Sequence, residues 1–111
     1  MMAGIRNEVR WTGTVSSDWS DASNWTTISG QSLSNRVPDS LDVARIGDTL
    51  FVNQPEISTD EKINVLRFAD TKAATITFNG GSLEIVGSGR GNWSSNVSHI
   101  INVNNDTLTV G

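Results

Sequence analysis

The chain has 111 residues, no cysteine and a formal net charge of −4. This length is enough for one domain with a single core. The negative charge argues against a nucleic-acid partner, because binding to phosphates needs a basic patch. The six arginines are scattered along the sequence and there are only two lysines, so the sequence predicts no basic surface.

Serine, threonine and asparagine together make up 36 of the 111 residues. These side chains hydrogen-bond to nearby main chain in turns and weaken helix interiors, so the composition predicts an all-β, turn-rich fold. No apolar run approaches the ~20 residues that cross a bilayer, and we expect no membrane insertion. The N-terminus lacks the apolar stretch of a signal peptide.

Taken in chain order, residues 1–10 are expected to be a disordered leader and residues 11–40 a tryptophan-rich N-terminal cap. The cap is polar, shows no strong strand alternation, and at most Ser17 to Asn24 form one helical turn. From residue 41 onwards, short apolar alternations separated by turn residues predict strands. The alternation slips by one residue at Val65–Leu66, which predicts a corner or a bulge.

The region 41–111 also contains a repeat, because residues 75–86 match residues 100–111 after a shift of 25 positions. The shift places Ile76, Phe78, Leu83 and Ile85 on Ile101, Val103, Leu108 and Val110. A short repeat of two alternating strands is what a stacked β-solenoid needs, since one coil cannot bury its own apolar face. We therefore expect Ile76 to stack on Ile101, and Leu83 on Leu108, in parallel strands.

The repeat favours a small right-handed parallel β-helix (a solenoid) whose first coil is covered by the tryptophan-rich cap. A β-sandwich is the alternative, because it also has short strands separated by regular turns. The same shift applied once more towards the N-terminus fails, since Asn53, Ser58 and Asp60 fall on the core positions. We therefore expect the region before the repeat to be an irregular first coil.

Three of the four tryptophans, Trp11, Trp19 and Trp25, lie within fifteen residues of the cap. One interpretation is a lid, in which the three rings cover the open end of the solenoid. The other is a sugar-binding platform, in which Trp19 and Trp25 stack on a sugar ring. In that case Asp18 or Asn24 would accept hydrogen bonds from the sugar hydroxyls.

The spacing of Asp18, Asp21 and Asn24 raises the question of a metal. Oxygen ligands in an acidic, turn-rich segment can hold Ca²⁺, so these three residues are the candidate calcium ligands, and calcium is the one candidate cofactor. The alternative is that they form Asx turns or cap a helical turn.

Candidate catalytic groups are sparse. His99 is the single histidine and there is no cysteine, which leaves little from which to build a zinc site or a catalytic triad. Glu84 is expected to point outwards with Thr109 as its counterpart, so no acid pairs with it across a groove, as glycoside hydrolysis requires. Glu56, Asp60 and Glu61 are interpreted as a solvated loop. We expect no catalytic residues and no enzyme activity.

The order of motifs resembles a known group of proteins. The elements are W-x-G at Trp11–Gly13, DWSDAxNW at Asp18–Trp25, V-P-x-x-x-D-x-A at Val37–Ala44 and the turn at Asn79–Leu83. This order resembles the start of large bacterial secreted and cell-surface parallel β-helix proteins, including those with autotransporter-associated strand repeats. The resemblance implies an extracellular or cell-surface location, as part of a longer exported chain, and a role in adhesion, display or surface structure.

The resemblance supplies no catalytic motif, so no functional residues carry over from it. We expect a structural or adhesive module that self-associates through its open C-terminal coil. The alternatives are a carbohydrate-binding module that contacts a glycan or host surface through exposed tryptophans, and a fragment of a polysaccharide-degrading enzyme.

Overall fold

The computed structural model describes residues 7–30, 35–87 and 97–110, and it is all-β, as predicted. Its strands are β1 (Glu8–Trp11), β2 (Trp25–Ser29), β3 (Val43–Ile46), β4 (Glu56–Ile57), β5 (Asp60–Ile63), β6 (Val65–Phe68), β7 (Thr75–Phe78), β8 (Ser82–Ile85), β9 (Ile100–Asn102) and β10 (Thr107–Val110). A single 3₁₀ turn is present in these ranges, at Ala22–Asn24, inside the segment where at most one turn was predicted.

The strands form three sheets. The first has the order β2-β1-β3-β6 and is antiparallel only between β1 and β2. The second, β4-β7-β9, and the third, β5-β8-β10, are parallel throughout. Parallel neighbours cannot be joined by a tight hairpin, so the chain passes through the other sheets before it returns to the same one.

The pairing predicted for the repeat is confirmed. Ile76 lies opposite Ile101, and Leu83 lies opposite Leu108, both in parallel strands. Ile76 and Leu83 are buried, and Ile101 and Leu108 are partly buried against the same core. The alternation of apolar side chains is therefore sufficient to set which face of these strands points inwards.

The region before the repeat has its own parallel pairing. Val43 lies opposite Val65 and Ile57 lies opposite Phe78, so paired residues are separated by fewer positions here than in the repeat. The separation also differs between the first and the second sheet. The connecting segments differ in length, since residues 47–55 join β3 to β4 whereas residues 69–74 join β6 to β7. The shift that aligns the repeat therefore does not align this region.

The predicted leader also needs correction, because residues 8–10 belong to β1. Val9 and Trp11 are fully buried, and they have the two-residue period of a strand with one buried face. Two apolar residues are too short a pattern to be recognised in the sequence. Residues 1–6 lie outside the described ranges.

The phase slip predicted at Val65–Leu66 corresponds to a corner at Asn64, between β5 and β6. The Asn64 amide donates to the Asp42 carbonyl at 2.9 Å, and the Gly87 amide donates to the Asn64 carbonyl at 2.8 Å. A Cβ atom on Gly87 would lie 2.3 Å from that carbonyl oxygen, so the close approach requires glycine. Successive corners are thus hydrogen-bonded to one another.

One cluster of buried side chains draws on all three sheets and on the cap. Its members are Val9, Trp11, Trp19, Trp25, Ala44, Ile46, Phe51, Ile57, Ile63, Leu66, Phe68, Ala74, Ile76, Phe78, Leu83 and Ile85. The described part of the chain contains no helix with the length and apolarity needed to span a bilayer.

Candidate functional site

The three tryptophans of the cap form one buried cluster. The ring of Trp25 packs edge-on against Trp11, with centroids 5.1 Å apart, and against Trp19, with centroids 4.8 Å apart. Two indole nitrogens are hydrogen-bonded, because Trp25 Nε1 donates to the Trp19 carbonyl and Trp11 Nε1 to the Asn53 carbonyl, each at 2.7 Å. All three side chains belong to the buried core of the described residues.

This burial corrects the prediction of a sugar-stacking platform on Trp19 and Trp25. Both side chains have 0 % relative exposure, so neither ring offers a face to a sugar. Large aromatic side chains gain the most free energy when they are fully removed from water, and here the apolar core surrounds them. The fourth tryptophan, Trp93, lies outside the described residues.

The two aspartates of the predicted calcium site bond to their own turns. One oxygen of Asp18 accepts from the amide and hydroxyl of Ser20, at 2.9 and 2.7 Å. One oxygen of Asp21 accepts from the Ser23 amide at 2.9 Å, and Asp21 is the N-cap of the 3₁₀ turn. These are the Asx-turn and cap roles that were the alternative to calcium.

Asn24, the third predicted ligand, is fully buried and fully hydrogen-bonded. Its Oδ1 accepts from the amides of Val15 and Ser16, at 2.9 and 3.0 Å. Its Nδ2 donates to Ser16 Oγ and to the Asp18 carbonyl, at 3.1 and 2.9 Å. Within residues 7–30, 35–87 and 97–110, no group of three or more histidine, cysteine, aspartate or glutamate side chains is placed to hold a metal ion.

His99 lies half-buried at the start of β9 and connects it to earlier strands. Its ring stacks on Phe68 with centroids 4.3 Å apart and an interplanar angle of 9°. Nδ1 accepts from the Ala74 amide at 3.1 Å, and Nε2 lies 2.9 Å from the Ala69 carbonyl, so the proton belongs on Nε2. Both ring nitrogens are therefore hydrogen-bonded to main-chain groups, which indicates a structural role for the His99 side chain.

Three of the arginines that look scattered in the sequence lie side by side across the first sheet. Arg10 is opposite Arg45, and Arg45 is opposite Arg67. Glu8 Oε1 accepts from Arg45 Nη1 and Arg67 Nη1, at 3.0 and 3.2 Å, and Asp48 pairs with Arg10 at 3.0 Å. The two carboxylates offset most of the charge, so the row does not form the strong basic patch that nucleic acid requires.

Four of the twelve acidic residues line a surface cleft of about 580 Å³ beside β5. Its lining consists of Pro38, Asp39, Ser40, Asp60, Glu61, Lys62, Ser82 and Glu84. Glu56 belongs to β4, and Asp60 and Glu61 belong to β5, so the prediction that these three lie in a solvated loop was wrong. Glu84 lies opposite Thr109, as predicted, and on its other side it faces Lys62 at 3.8 Å.

Glu61 occupies an unusual position in this cleft. It lies opposite Leu83, in the row of side chains that faces the core, yet it carries a carboxyl group. Burial raises the pKa of Glu61; a hydrogen bond from the Thr59 hydroxyl opposes this shift, and the nearby carboxylates of Asp18 and Asp60 add to it. The cleft therefore has a negative potential for which no cation among the described residues fully compensates.

A second exposed feature is the end of the molecule that carries β9 and β10. Ile101, Val103 and Leu108 pack against the core but are only partly buried, whereas Ile76 and Leu83, one layer further in, are at most 1 % exposed. Neither β9 nor β10 contains a charged side chain. Among the described strands none pairs with the outer edges of β9 and β10, so this end combines those edges with exposed apolar surface.

The comparisons with known proteins give this chain no relatives. No protein-family model matches it, and neither a curated protein nor a solved structure is significantly similar to it.

Proposed function

We propose that this protein is a non-enzymatic structural or adhesive module that self-associates through the end formed by β9 and β10. One observation carries the proposal: side chains at this end are partly exposed, although their counterparts one layer inside are fully buried. An apolar layer of this kind gains free energy when another surface covers it. In a structural module, that surface belongs to a neighbouring molecule.

The proposed fold is a short right-handed parallel β-helix with a tryptophan-rich cap. The strands β3, β4 and β5 pair in the same order with β6, β7 and β8, each in parallel, which is the arrangement of successive coils. Parallel crossover connections are right-handed in nearly all proteins. The alternative β-sandwich is built of antiparallel sheets, whereas among the described pairs of strands only β1 and β2 are antiparallel.

Self-association is expected to join two copies by the same end. The strand edges of β9 and β10 can pair with another strand, and they lack the charges by which natural edges are usually protected. The opposite end is closed by the buried tryptophan cluster and by β2, so it does not offer a matching surface. An end-to-end contact of identical surfaces forms a closed dimer.

The wider setting of the proposal is extracellular. The motifs that resemble bacterial cell-surface β-helix proteins support a place in a longer exported chain, where this module would display surface for adhesion to a glycan or a host. A stacked fold suits display because each layer adds outward-facing side chains without changing the core.

The test is sedimentation velocity across a concentration series, with the full chain and two variants. Val110→Lys places a charge in the apolar row of the proposed contact, where the native side chain is 42 % exposed, and we expect it to abolish the dimer. Leu50→Lys is the matched control, because Leu50 is 78 % exposed and lies in another part of the molecule. A monomer at millimolar concentration, or a dimer that Leu50→Lys disrupts and Val110→Lys does not, would contradict the proposal.

A further inference from the structure

The outer edge of β5 presents main-chain groups without a strand to pair with. The Ser82 amide donates to the Thr59 carbonyl at 3.2 Å, and the Val86 amide donates to the Ile63 carbonyl at 2.9 Å, so residues 59 and 63 face β8. Main-chain groups alternate in direction along a strand, and those of Asp60 and Lys62 therefore point away from β8. β5 is the last strand of its sheet, and no other described strand pairs with this edge.

The sequence explains why the edge is open. Pro38–Leu41 precedes β3 as β5 precedes β6, but it does not pair with β5: Pro38, Asp39 and Ser40 line a cleft that separates this segment from the strand. Pro38 has no amide proton to donate. The Asp39 amide donates to Asp42 Oδ2 at 2.8 Å, and the Leu41 amide donates to Asp39 Oδ1 at 2.9 Å. These local bonds compete with strand pairing and hold the segment in a turn.

The opening between this turn and β5 is the acidic cleft. Its side chains include four carboxylates, those of Asp39, Asp60, Glu61 and Glu84, and a single lysine, Lys62. Arg36, just outside the lining, pairs with Asp39 at 2.6 Å. When all four carboxylates are ionised, they exceed the two cations by two negative charges, which favours a positively charged occupant.

We propose that the outer edge of β5 binds an extended segment of a partner protein that contains lysine or arginine, by adding it as a further strand of the sheet. In this mode the main chain of the segment pairs with Asp60 and Lys62, and alternate basic side chains reach the carboxylates of the cleft. The main-chain bonds supply affinity and the carboxylates supply selectivity for cations.

A second copy of this chain fits the edge less well than a basic partner. Of its own edge strands, β2, β4, β9 and β10 carry no positive charge to match the carboxylates, and β5 is itself acidic. The arginine of β6, Arg67, is already paired with Glu8. The inference is independent of the proposed self-association, because it concerns another edge and another kind of partner. Failure of either proposal leaves the other standing.

The test uses the full chain and three short peptides with capped ends. The first alternates lysine and valine, the second has glutamate in place of lysine, and the third is the lysine peptide methylated on alternate main-chain nitrogens. We expect only the first to bind and to shift the amide NMR signals of Asp60 and Lys62. Combining Asp60→Asn with Glu84→Gln, two carboxylates on the same outward face of the sheet, should weaken binding about tenfold, because two charge-assisted contacts are lost. Asp70→Asn, an exposed carboxylate on the loop after β6, should leave binding unchanged.

Four results would overturn the inference. The first is the absence of binding at millimolar peptide. The second is equal binding of the methylated peptide, which would mean that ion pairing alone holds the segment. The third is equal weakening by Asp70→Asn, which would mean that the whole acidic surface attracts the peptide. The fourth is a shift of the β5 signals with protein concentration alone, which would assign the edge to a second copy.

Discussion

Asn24 illustrates how a single polar residue holds the cap. Its side chain is fully buried, and its two polar atoms take part in four hydrogen bonds, two of them from the amides of Val15 and Ser16. These amides belong to an irregular segment, where no neighbouring strand could accept from them. Main-chain amides outside regular strands need another acceptor, and the buried Asn24 side chain supplies it.

Replacing Asn24 with alanine should therefore destabilise the whole domain. A fully buried side chain with four hydrogen bonds is lost, and we expect a loss of about 3 kcal/mol in the free energy of unfolding. Urea denaturation followed by tryptophan fluorescence measures this directly. Asn105→Ala, at an exposed turn, is the control and should change stability by less than about 0.5 kcal/mol. Equal losses in the two variants would argue against the role assigned to Asn24.

Glu61 should make stability depend on pH in a direction set by its burial. Its pKa is raised above the ordinary value of 4.5, so the folded protein holds the proton more tightly than the unfolded chain does. The stabilising contribution of the protonated form is complete below pH 4.5 and is lost as the pH rises through the folded pKa. Glu61→Gln keeps the neutral state at every pH, and its stability relative to the native protein should increase from pH 4.5 upwards.

Urea unfolding of both proteins between pH 4 and 8 tests this expectation. Glu84→Gln is the matched control, since it removes another carboxylate from the same cleft. If both variants gained the same amount of stability over this range, the effect would reflect the overall charge of the cleft and not the burial of Glu61.

At the scale of elements, close contacts between successive turns determine how tightly the strands stack. Gly81, just before β8, lies against the turn before β5, and a Cβ atom there would be 2.3 Å from the Thr59 carbonyl oxygen. The adjacent Gly80 has a φ of +91°, but a Cβ atom there would meet nothing within 4 Å. The two neighbouring glycines are thus needed for different reasons. Gly81 permits the close contact between turns, and Gly80 permits its own backbone conformation.

The two alanine substitutions should separate these reasons. Gly80→Ala should cost about 1 kcal/mol, because only the strained conformation opposes it. Gly81→Ala should cost about 3 kcal/mol, because the turn before β5 must move away. Amide exchange gives a second measure, since the Ser82 amide donates to the Thr59 carbonyl and should lose protection only in Gly81→Ala. Comparable protection of Ser82 in the two variants would contradict the steric explanation.

For the whole molecule, burial is uneven along the direction in which the strands stack. Leu83 lies on β8, which is paired with a strand on each side. Leu108, in the same row of side chains, lies on β10, which is paired with β8 alone among the described strands. The first is buried and the second only half-buried. The end that carries β9 and β10 is therefore expected to open more easily than the middle of the molecule.

Leucine-to-alanine substitutions should reveal this gradient. We expect Leu83→Ala to cost about 3 kcal/mol and Leu108→Ala about 1 kcal/mol in the free energy of unfolding, measured at protein concentrations low enough to keep the chain monomeric. Native-state hydrogen exchange should find weaker protection in β9 and β10 than in β7 and β8. Equal costs in a monomeric protein would mean that Leu108 is covered in solution by part of the same chain.

The sequence by itself determined the class of structure and much of its local pairing. A two-residue apolar period and abundant turn residues led to an all-β chain, and the repeat led to the pairing of Ile76 with Ile101 and of Leu83 with Leu108. These features are local, because they depend on which side chains alternate and on which residues tolerate turns. The turn near Asn24 and the corner after β5 followed from the same local signals.

Only the tertiary structure decided which surfaces are free. Trp19 and Trp25 suit a sugar site by type, but the fold buries both side chains in its core. The row of three arginines and the acidic cleft beside β5 arise from residues that lie far apart in the chain and meet through pairing of strands that are not consecutive. The lengths of the connections determine which distant residues meet, and the hydrophobic pattern of the sequence does not reveal these contacts. The functional surfaces therefore depend on contacts that the fold creates between distant residues.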